Sequence, residues 1–487
     1  MINFGIVSNV IGVVLIGIGV FMLLTLPVCL IYDSGDALPL FWSALFTVVA
    51  GRLLYWKKAK QKDNIAKREG YLIVALGWFA VSFVCAIPYL LSDTMPDLAN
   101  AFFESVSGLT TTGASVLNDI EAVPKGILFW RSLTQWIGGM GIIVLTVAIF
   151  PLLGIGGVEL FVAEAPGPTS DKIHPRIKET AKRLWLIYVG LTVALCLLLY
   201  MYGMDFYDAV NHSFTTMATG GFSTKNASIA YYQSPAIQYI ITFFMFMAGV
   251  NYTVIYYGLT RRFHKVWRSD EFKAYFLLVI ILIALVTTTV YNLTDLPFEQ
   301  AFRDSAFQIL SILTTTGFVT ADYTAWTPAL TLLFFILLFV GACAGSTAGG
   351  IKVIRHLVFF KNSFLEFKRL LHAKALIRIK IDRQLVAPRI LTHILVFLLI
   401  YMILFLIGSL IMTIILADFK DPLLTAIGAV ATCLGNVGPG IGQVGPLDNF
   451  SKIPDAGKWV LSVLMLLGRL ELFSVLILFM PYFWRTH

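Results

Sequence analysis

The sequence predicts an all-α integral membrane protein, with four pseudo-symmetric helix–pore-loop–helix repeats around one central pore, preceded by two extra transmembrane helices. Three observations carry this prediction. The chain of 487 residues is 58% hydrophobic and 13% charged, with a mean hydropathy of +0.82, whereas soluble domains are about 25% charged. Its apolar residues gather in stretches of about 20 or more, the length a helix needs to cross a bilayer. Between those stretches a threonine–glycine signature recurs at intervals of about one hundred residues, too long for a solenoid unit and suited to a duplicated small domain.

Residues 1–70 hold two spanning stretches, Gly5–Tyr32 and Leu38–Tyr55, with no copy of the signature. The first has no basic n-region and too long an apolar part for a cleaved leader, so it is expected to remain as a membrane helix. Four units follow, at 71–155, 156–262, 263–362 and 363–487. In the first, the long helices Tyr71–Leu91 and Gly126–Leu153 flank a short one, Asn100–Leu109. The second places Leu184–Tyr202 and Ala236–Leu259 around Asp208–Met217, and the third Ala274–Tyr291 and Pro328–Phe360 around Phe298–Leu313. The fourth places Ile390–Leu416 and Trp459–Met480 around Pro422–Ala431, which gives ten expected spans.

The short segments are the informative ones. A helix such as Asn100–Leu109 is about 15 Å long and cannot span. It must be re-entrant, and re-entrant backbone is tolerated at membrane depth only when buried in protein or lining a water-filled cavity. Its dipole turns a negative end toward the residues that follow, which favours a cation there. Those residues are Thr110-Thr111-Thr112-Gly113, Ala218-Thr219-Gly220-Gly221, Thr314-Thr315-Thr316-Gly317 and Thr432-Cys433-Leu434-Gly435-Asn436. Glycine reaches positive φ cheaply and lets successive carbonyls turn toward an axis, where rings of carbonyls replace an ion's hydration shell. Small residues also serve helix packing in membranes. A single copy would be weak on that account, but four copies, each after a non-spanning helix, point to a filter.

The net charge of +8 is distributed in a way that excludes nucleic acid as a partner. Lys and Arg concentrate in Arg52–Arg68, Lys172–Arg183, Arg261–Lys273 and Lys361–Arg389, while Tyr32–Pro39 and Ser92–Val123 carry none. That alternation assigns the basic loops to the cytoplasm and leaves membrane lipid as the surrounding partner. Asp93, Asp97, Asp119 and Glu121 fall on the opposite side, where an outer mouth would attract cations. The five cysteines form no CxxC pair or metal-ligand spacing. No GxSxG, HExxH or phosphate loop is present, so neither an enzyme nor an ATP site is expected, and no cofactor is expected to be bound by this chain.

The fourfold plan, with a glycine after each short helix, resembles the Trk/Ktr/HKT superfamily of potassium uptake proteins over essentially the whole chain. The resemblance implies a potassium ion as permeating ligand, one pathway per protomer, a homodimer, a cytoplasmic nucleotide-binding regulatory subunit (a TrkA-like ring), and the bacterial inner membrane. It assigns Gly113, Gly221, Gly317 and Gly435 as filter glycines, with carbonyls supplied by Thr110–Thr112, Ala218–Gly220 and Thr314–Thr316. A serine at the first of these positions goes with sodium permeation in plant relatives, and Gly113 points to potassium. The fourth copy departs from the pattern, since Cys433-Leu434-Gly435-Asn436 lacks the threonine pair and would offer the carbonyls of Cys433 and Leu434 instead.

Two gate candidates follow. The run Gly341-Ala342-Cys343-Ala344-Gly345-Ser346-Thr347-Ala348-Gly349-Gly350 interrupts a segment far too long for one straight helix. It reads as an unwound loop under the filter, the position of a gating loop in the family, although Gly341, Gly345 and Gly349 also form a GxxxG ladder suited to close packing. Arg469 falls near the middle of the last apolar helix expected, where its burial would cost about 2.5–3.5 kcal/mol without a pathway or partner. Its charge is read as opposing ions or pinning the loop's carbonyls, the alternative being a structural ion pair. Glu471 is close in sequence but at i+2 points elsewhere. A secondary transporter coupling potassium to proton or sodium movement stays open as a second reading; mid-membrane acids, apart from Glu104, Asp208 and Glu471, are scarce.

Overall fold

The structure is a computed structural model that describes residues 2–55, 67–141, 177–372 and 378–485. It is helical throughout, apart from one small antiparallel hairpin that pairs Lys380–Ile381 with Gln384–Leu385. The two leading helices form a tight pair. Phe4–Leu23 crosses Ala37–Tyr55 where Gly12 and Gly51 each leave room for the other's carbonyl, so a Cβ on either would be 2.5–2.7 Å from backbone oxygen. Small residues at the crossing let two membrane helices gain dispersion energy that side chains would otherwise hold off.

After this pair the same plan recurs four times. A long helix (Lys67–Leu91, Ile177–Met201, Asp270–Leu293, Pro388–Ile415) leads into a short one (Leu98–Leu109, Phe206–Met217, Phe298–Leu313, Pro422–Gly435). The long helices present Leu, Ile, Val and Phe outward, as in Val193, Leu197, Ile280, Ile281, Leu399 and Leu410. The short helices are buried on nearly every side, which fits segments enclosed by the other elements. Among the described residues six helices are long and apolar enough to cross a membrane, or eight if each of two bent pairs counts as one span.

The difference from ten expected spans lies in the second helix of each repeat. Ala236–Leu259, expected to be continuous, is two helices, Pro235–Ala248 and Tyr252–Leu259, bent by 108° at Gly249–Asn251. Trp459–Met480 is likewise Asp455–Arg469 followed by Phe473–Phe479, bent by 107° across Glu471 and Leu472, whose φ values are 58 and 55°. In the third repeat, helix Pro328–Leu337 ends and Val353–Leu371 begins only after a non-helical connection, so the glycine run is an unwound loop and not a packing ladder within one helix. In the first repeat Lys125–Trp136 gives way to a π-helical turn at Ile137–Gly141; the rest of the expected Gly126–Leu153 helix, from residue 142, lies outside the described residues. So do the 155/156 boundary and parts of the basic loops Arg52–Arg68, Lys172–Arg183 and Lys361–Arg389.

Each of these places has a glycine that another part of the chain approaches closely, backbone at Gly138, Gly341 and Gly468 and side chains at Gly249. A Cβ on Gly138 would overlap the carbonyl of Leu109, and one on Gly468 would overlap that of Leu434. A Cβ on Gly341 would overlap that of Gly349, and one on Gly249 would be 2.8 Å from the Thr314 methyl. Gly138 and Gly139 thus serve close packing.

Candidate functional site

Each short helix ends in the same device. Thr111, Thr219, Thr315 and Asn436 have φ of 53, 54, 55 and 54°, and the glycines two residues later, Gly113, Gly221, Gly317 and Gly438, have 84, 75, 81 and 105°. The amides of Thr111, Thr219, Thr315 and Asn436 donate to the carbonyls of Gly108, Thr216, Ile312 and Cys433. The next amides, of Thr112, Gly220, Thr316 and Val437, reach back to Ser107, Thr215, Ser311 and Thr432. This is the Schellman closure of a helix, whose left-handed position is normally given to glycine or asparagine. A β-branched threonine there is a true outlier, and such strain, about 1–3 kcal/mol per residue, persists only where the surroundings impose it.

The register corrects the expected fourth copy. The conformational partner of Gly113, Gly221 and Gly317 is Gly438, not Gly435, so the repeat is Thr-x-Gly in three copies and Asn-x-Gly in the fourth. Thr432, Cys433 and Leu434, expected to offer carbonyls to an axis, lie within helix Pro422–Gly435, and the carbonyls of Thr432 and Cys433 take the amides of Val437 and Asn436. Asparagine tolerates the left-handed region better than threonine, which explains why this copy needs no threonine pair.

The four turns meet in a closed ring. A Cβ added to Gly113 would overlap the carbonyl oxygen of Gly220, one on Gly221 that of Thr316, and one on Gly317 that of Val437. One on Gly438 would approach the carbonyl of Thr112 and close the circuit. Within this ring the carbonyls of Thr111, Thr112, Thr219, Thr315, Thr316, Asn436 and Val437 accept no hydrogen bond from any described residue, although all seven residues are buried. Buried carbonyls are almost always paired. A ring left unpaired, at the negative ends of four helices, is chemically suited to a desolvated monovalent cation.

Side chains behind the ring hold it in place. Gln135 donates from Nε2 to the Gly220 carbonyl at 2.6 Å and accepts the Phe222 amide on Oε1 at 3.1 Å, so one amide group fixes the second turn. Glu104 pairs with Arg131 at 2.5 Å, both fully buried, and takes the Ser115 hydroxyl and the Val116 amide. Arg131 also donates to the Ser223 carbonyl and lies over the Phe222 ring. His212 is a structural residue, hydrogen-bonded through Nδ1 to the Asp208 carbonyl and through Nε2 to Ser223. On one side the ring opens into a cavity of about 240 Å³ lined by Gly113, Gly221, Gly317 and Gly438, with Asn118, Lys225 and Asp448 further out; Gly435 is not among its walls. At its rim a hydrogen bond from Asn226 holds the Asp119 carboxyl below the usual carboxylate range.

The opposite side is covered by the 338–352 connection. The Gly349 amide donates to the Thr315 hydroxyl at 2.7 Å, and a Cβ on Gly349 would lie 2.7 Å from the Asn436 Cβ and 2.9 Å from the Gly435 carbonyl. The Thr347 hydroxyl donates to the carbonyls of Met217 and Ala248. Gly345, with φ of 72°, passes its carbonyl to the Tyr252 amide at the break in the second repeat. Gly341 closes the neck of the loop through the Ile351 carbonyl, next to Gly350 with φ of 65°. Ser346 caps locally, donating to the Cys343 carbonyl.

Arg469 ends its helix beside this loop instead of lying at mid-helix. It donates to the carbonyls of Thr347 at 3.0 Å, Gly138 at 2.7 Å and Gly139 at 3.1 Å, joining the loop to two of the helix breaks. Glu471 pairs with Arg355. Sequence reasoning missed the left-handed threonines, Gln135, the breaks at Gly249 and Leu470–Leu472, and the role of Gly438. Only the last had a readable signal, the Asn436-Val437-Gly438 spacing.

Comparison with known proteins agrees with this architecture. A family model described as "Cation transport protein", TrkH, matches residues 40–485. The chain is 43% identical over 492 residues to the Trk system potassium uptake protein TrkH of Escherichia coli strain K12, covering 99% of this chain and 100% of that protein. It is 34% identical over 471 residues to the Trk system potassium uptake protein TrkG of the same organism, covering 96% of this chain and 95% of that protein. The crystal structure of the potassium transporter TrkH from Vibrio parahaemolyticus superimposes with a TM-score of 0.87 at 36% identity, covering 99% of this chain and all of that one.

Proposed function

From the premise that this chain belongs to the TrkH family of cation transport proteins, we propose that it takes up potassium across the bacterial inner membrane, with the four-turn ring as its selectivity filter. The single observation behind this reading is the closed ring of buried carbonyls, at the ends of four short helices, that accept no hydrogen bond from any described residue. Potassium is the ion named for the relatives that match over the full length of the chain. The 338–352 connection is the gate in this reading, with Arg469 as its pin, because the loop fills the space beneath the ring and its amide engages a ring hydroxyl. The three acids singled out in the sequence are engaged by other residues, Glu104 by Arg131, Asp208 by Thr224, Tyr232 and Lys225, and Glu471 by Arg355, which favours a gated pore.

The reading includes the division into units at 71–155, 156–262, 263–362 and 363–487, with basic loops on the cytoplasmic side. It also includes a homodimer and a cytoplasmic nucleotide-binding regulatory ring that meets those loops. The test is rubidium uptake into potassium-loaded liposomes holding the purified chain, with sodium and lithium as competitors. Uptake blocked by potassium and abolished by Gly113→Asp or Gly317→Asp is expected. Uptake unaffected by both substitutions in folded protein would overturn the filter assignment.

A further inference from the structure

We propose that Glu271 is the positioning residue that holds the 338–352 loop in its blocking shape, and that the adjoining Asp270 ties this hold to the hairpin Lys380–Leu385. The inference rests on the gate reading above and names the part of the protein that sets the gate.

Glu271 sits in the first turn of helix Asp270–Leu293 and is 8% exposed. Its Oε1 accepts two backbone amides, from Ala344 at 2.6 Å and from Ile354 at 3.2 Å. One amide lies within the glycine run, just before Gly345, and the other just after the helix resumes at Val353. One carboxylate oxygen therefore ties the middle of the loop to the helix that follows it. The neck of the loop is drawn together by the Gly341 amide on the Ile351 carbonyl and the Val353 amide on the Ala342 carbonyl. Those two contacts are internal to the loop. Glu271 reaches it from another helix.

The chemistry makes this contact conditional on the loop's shape. A buried carboxylate is tolerated when amide donors reach it and is costly when they leave. One donor belongs to the loop and the other to the first turn of the helix that follows it, so moving either away leaves the carboxylate short of a partner. An acid in a first turn also complements the helix dipole. Asp270 already does so, whereas Glu271 directs its oxygen to a different part of the chain.

Asp270 faces the other way. Its amide donates to Asp382 Oδ1 at 2.6 Å, and its Oδ2 accepts the Asp382 amide at 3.1 Å, a reciprocal pair with the tip of the hairpin. Lys361 bridges the Asp270 carboxylate and the Lys380 carbonyl, each at 3.3 Å. Ile379 and Ile381 pack with Ile354 and Val358 in a hydrophobic cluster separate from the main core. The hairpin therefore bears on the residue next to Glu271 and on Ile354, whose amide Glu271 holds.

The experiment measures rubidium uptake by Glu271→Ala, Glu271→Gln and Asp382→Ala in the full chain, each with and without deletion of residues 345–350. Folding is checked by size-exclusion chromatography. Glu271→Ala is expected to raise uptake about tenfold, the ratio that roughly one charge-assisted hydrogen bond specific to the closed state implies. Glu271→Gln should raise it less, because its amide oxygen still accepts, and Asp382→Ala should give a smaller rise. None of the three should change uptake further in the loop-deleted chain, a silence that a merely structural role would not produce. If the deletion raises uptake and folded Glu271→Ala does not, the clasp is overturned and the gate reading stands. If the deletion has no effect in folded protein, the gate reading falls and the clasp with it. Equal losses of uptake in both backgrounds would make Glu271 structural and overturn the proposal.

Discussion

The backbone amide of Gly349 donates to the hydroxyl of Thr315 at 2.7 Å, so the loop beneath the ring is bonded to a strained member of the ring itself. Gate and filter in the proposed reading thus share one hydrogen bond. Anything that displaces the loop also frees a hydroxyl at the inner end of the filter.

Thr315→Val keeps the shape of the side chain and removes that acceptor, leaving the Gly349 amide unpaired. A neutral hydrogen bond has a net worth of about 1 kcal/mol. The expected outcome is a rise of about fivefold in rubidium uptake, with the competition order of potassium, sodium and lithium unchanged. Altered competition at unchanged rate would mean that Thr315 belongs to selectivity alone.

Gly438 and Gly435 separate in a direct comparison. A Cβ at Gly438 would press on the Thr112 carbonyl and also face a φ of 105°, so Gly438→Ala is expected to lower the preference for potassium over sodium. Gly435→Ala would press on the Leu338 carbonyl at the start of the loop and is expected to change the rate of uptake without changing the preference. Flux measured in mixed potassium and sodium gradients distinguishes the two; a shift of preference at Gly435 alone would return the fourth copy to its original alignment.

Gln135→Leu removes both bonds that fix the second turn, at the Gly220 carbonyl and the Phe222 amide. Leaving a buried amide donor unpaired costs about 1–3 kcal/mol. We expect lower selectivity together with a lower melting temperature in detergent, and no loss of either would show that Phe222 is held by its packing.

The buried pair Glu104–Arg131 gives a stability test independent of flux. Glu104→Gln or Arg131→Met alone strands one buried charge or its hydrogen-bond partners, at about 3–5 kcal/mol. The double substitution is expected to recover part of that loss, because no unpaired charge is left. Thermal melting of the three variants measures the coupling, and strict additivity would count against a buried pair.

Much of the fold was legible because hydrophobic length and repeated glycine are strong signals. The third short helix, Phe298–Leu313, has both its expected ends, and the first two begin two residues before their expected starts and end where expected, at Leu109 and Met217. The breaks in the second helices were not legible. Their sequences stay apolar through Gly249 and Gly468, and the close approaches there come from parts of the chain outside those helices, the Tyr275 and Thr314 side chains at Gly249 and the Leu434 carbonyl at Gly468. The fourth turn was misread because threonine was taken as the mark of the filter. Its backbone requirement is a left-handed residue followed two positions later by glycine, and Asn436-Val437-Gly438 meets it without threonine. Arg469 does reach a loop carbonyl, that of Thr347, but its other partners, Gly138 and Gly139, lie more than three hundred positions away and leave no local trace.

The ring closes from four stretches of one polypeptide, and each glycine leaves room for the carbonyl of a different neighbour. In an assembly of four identical subunits, every substitution in such a ring would appear at four places at once. Here it appears at one. The chain can therefore alter a single quadrant while three keep their form, as Asn436 does among threonines, and the ring becomes adjustable one residue at a time.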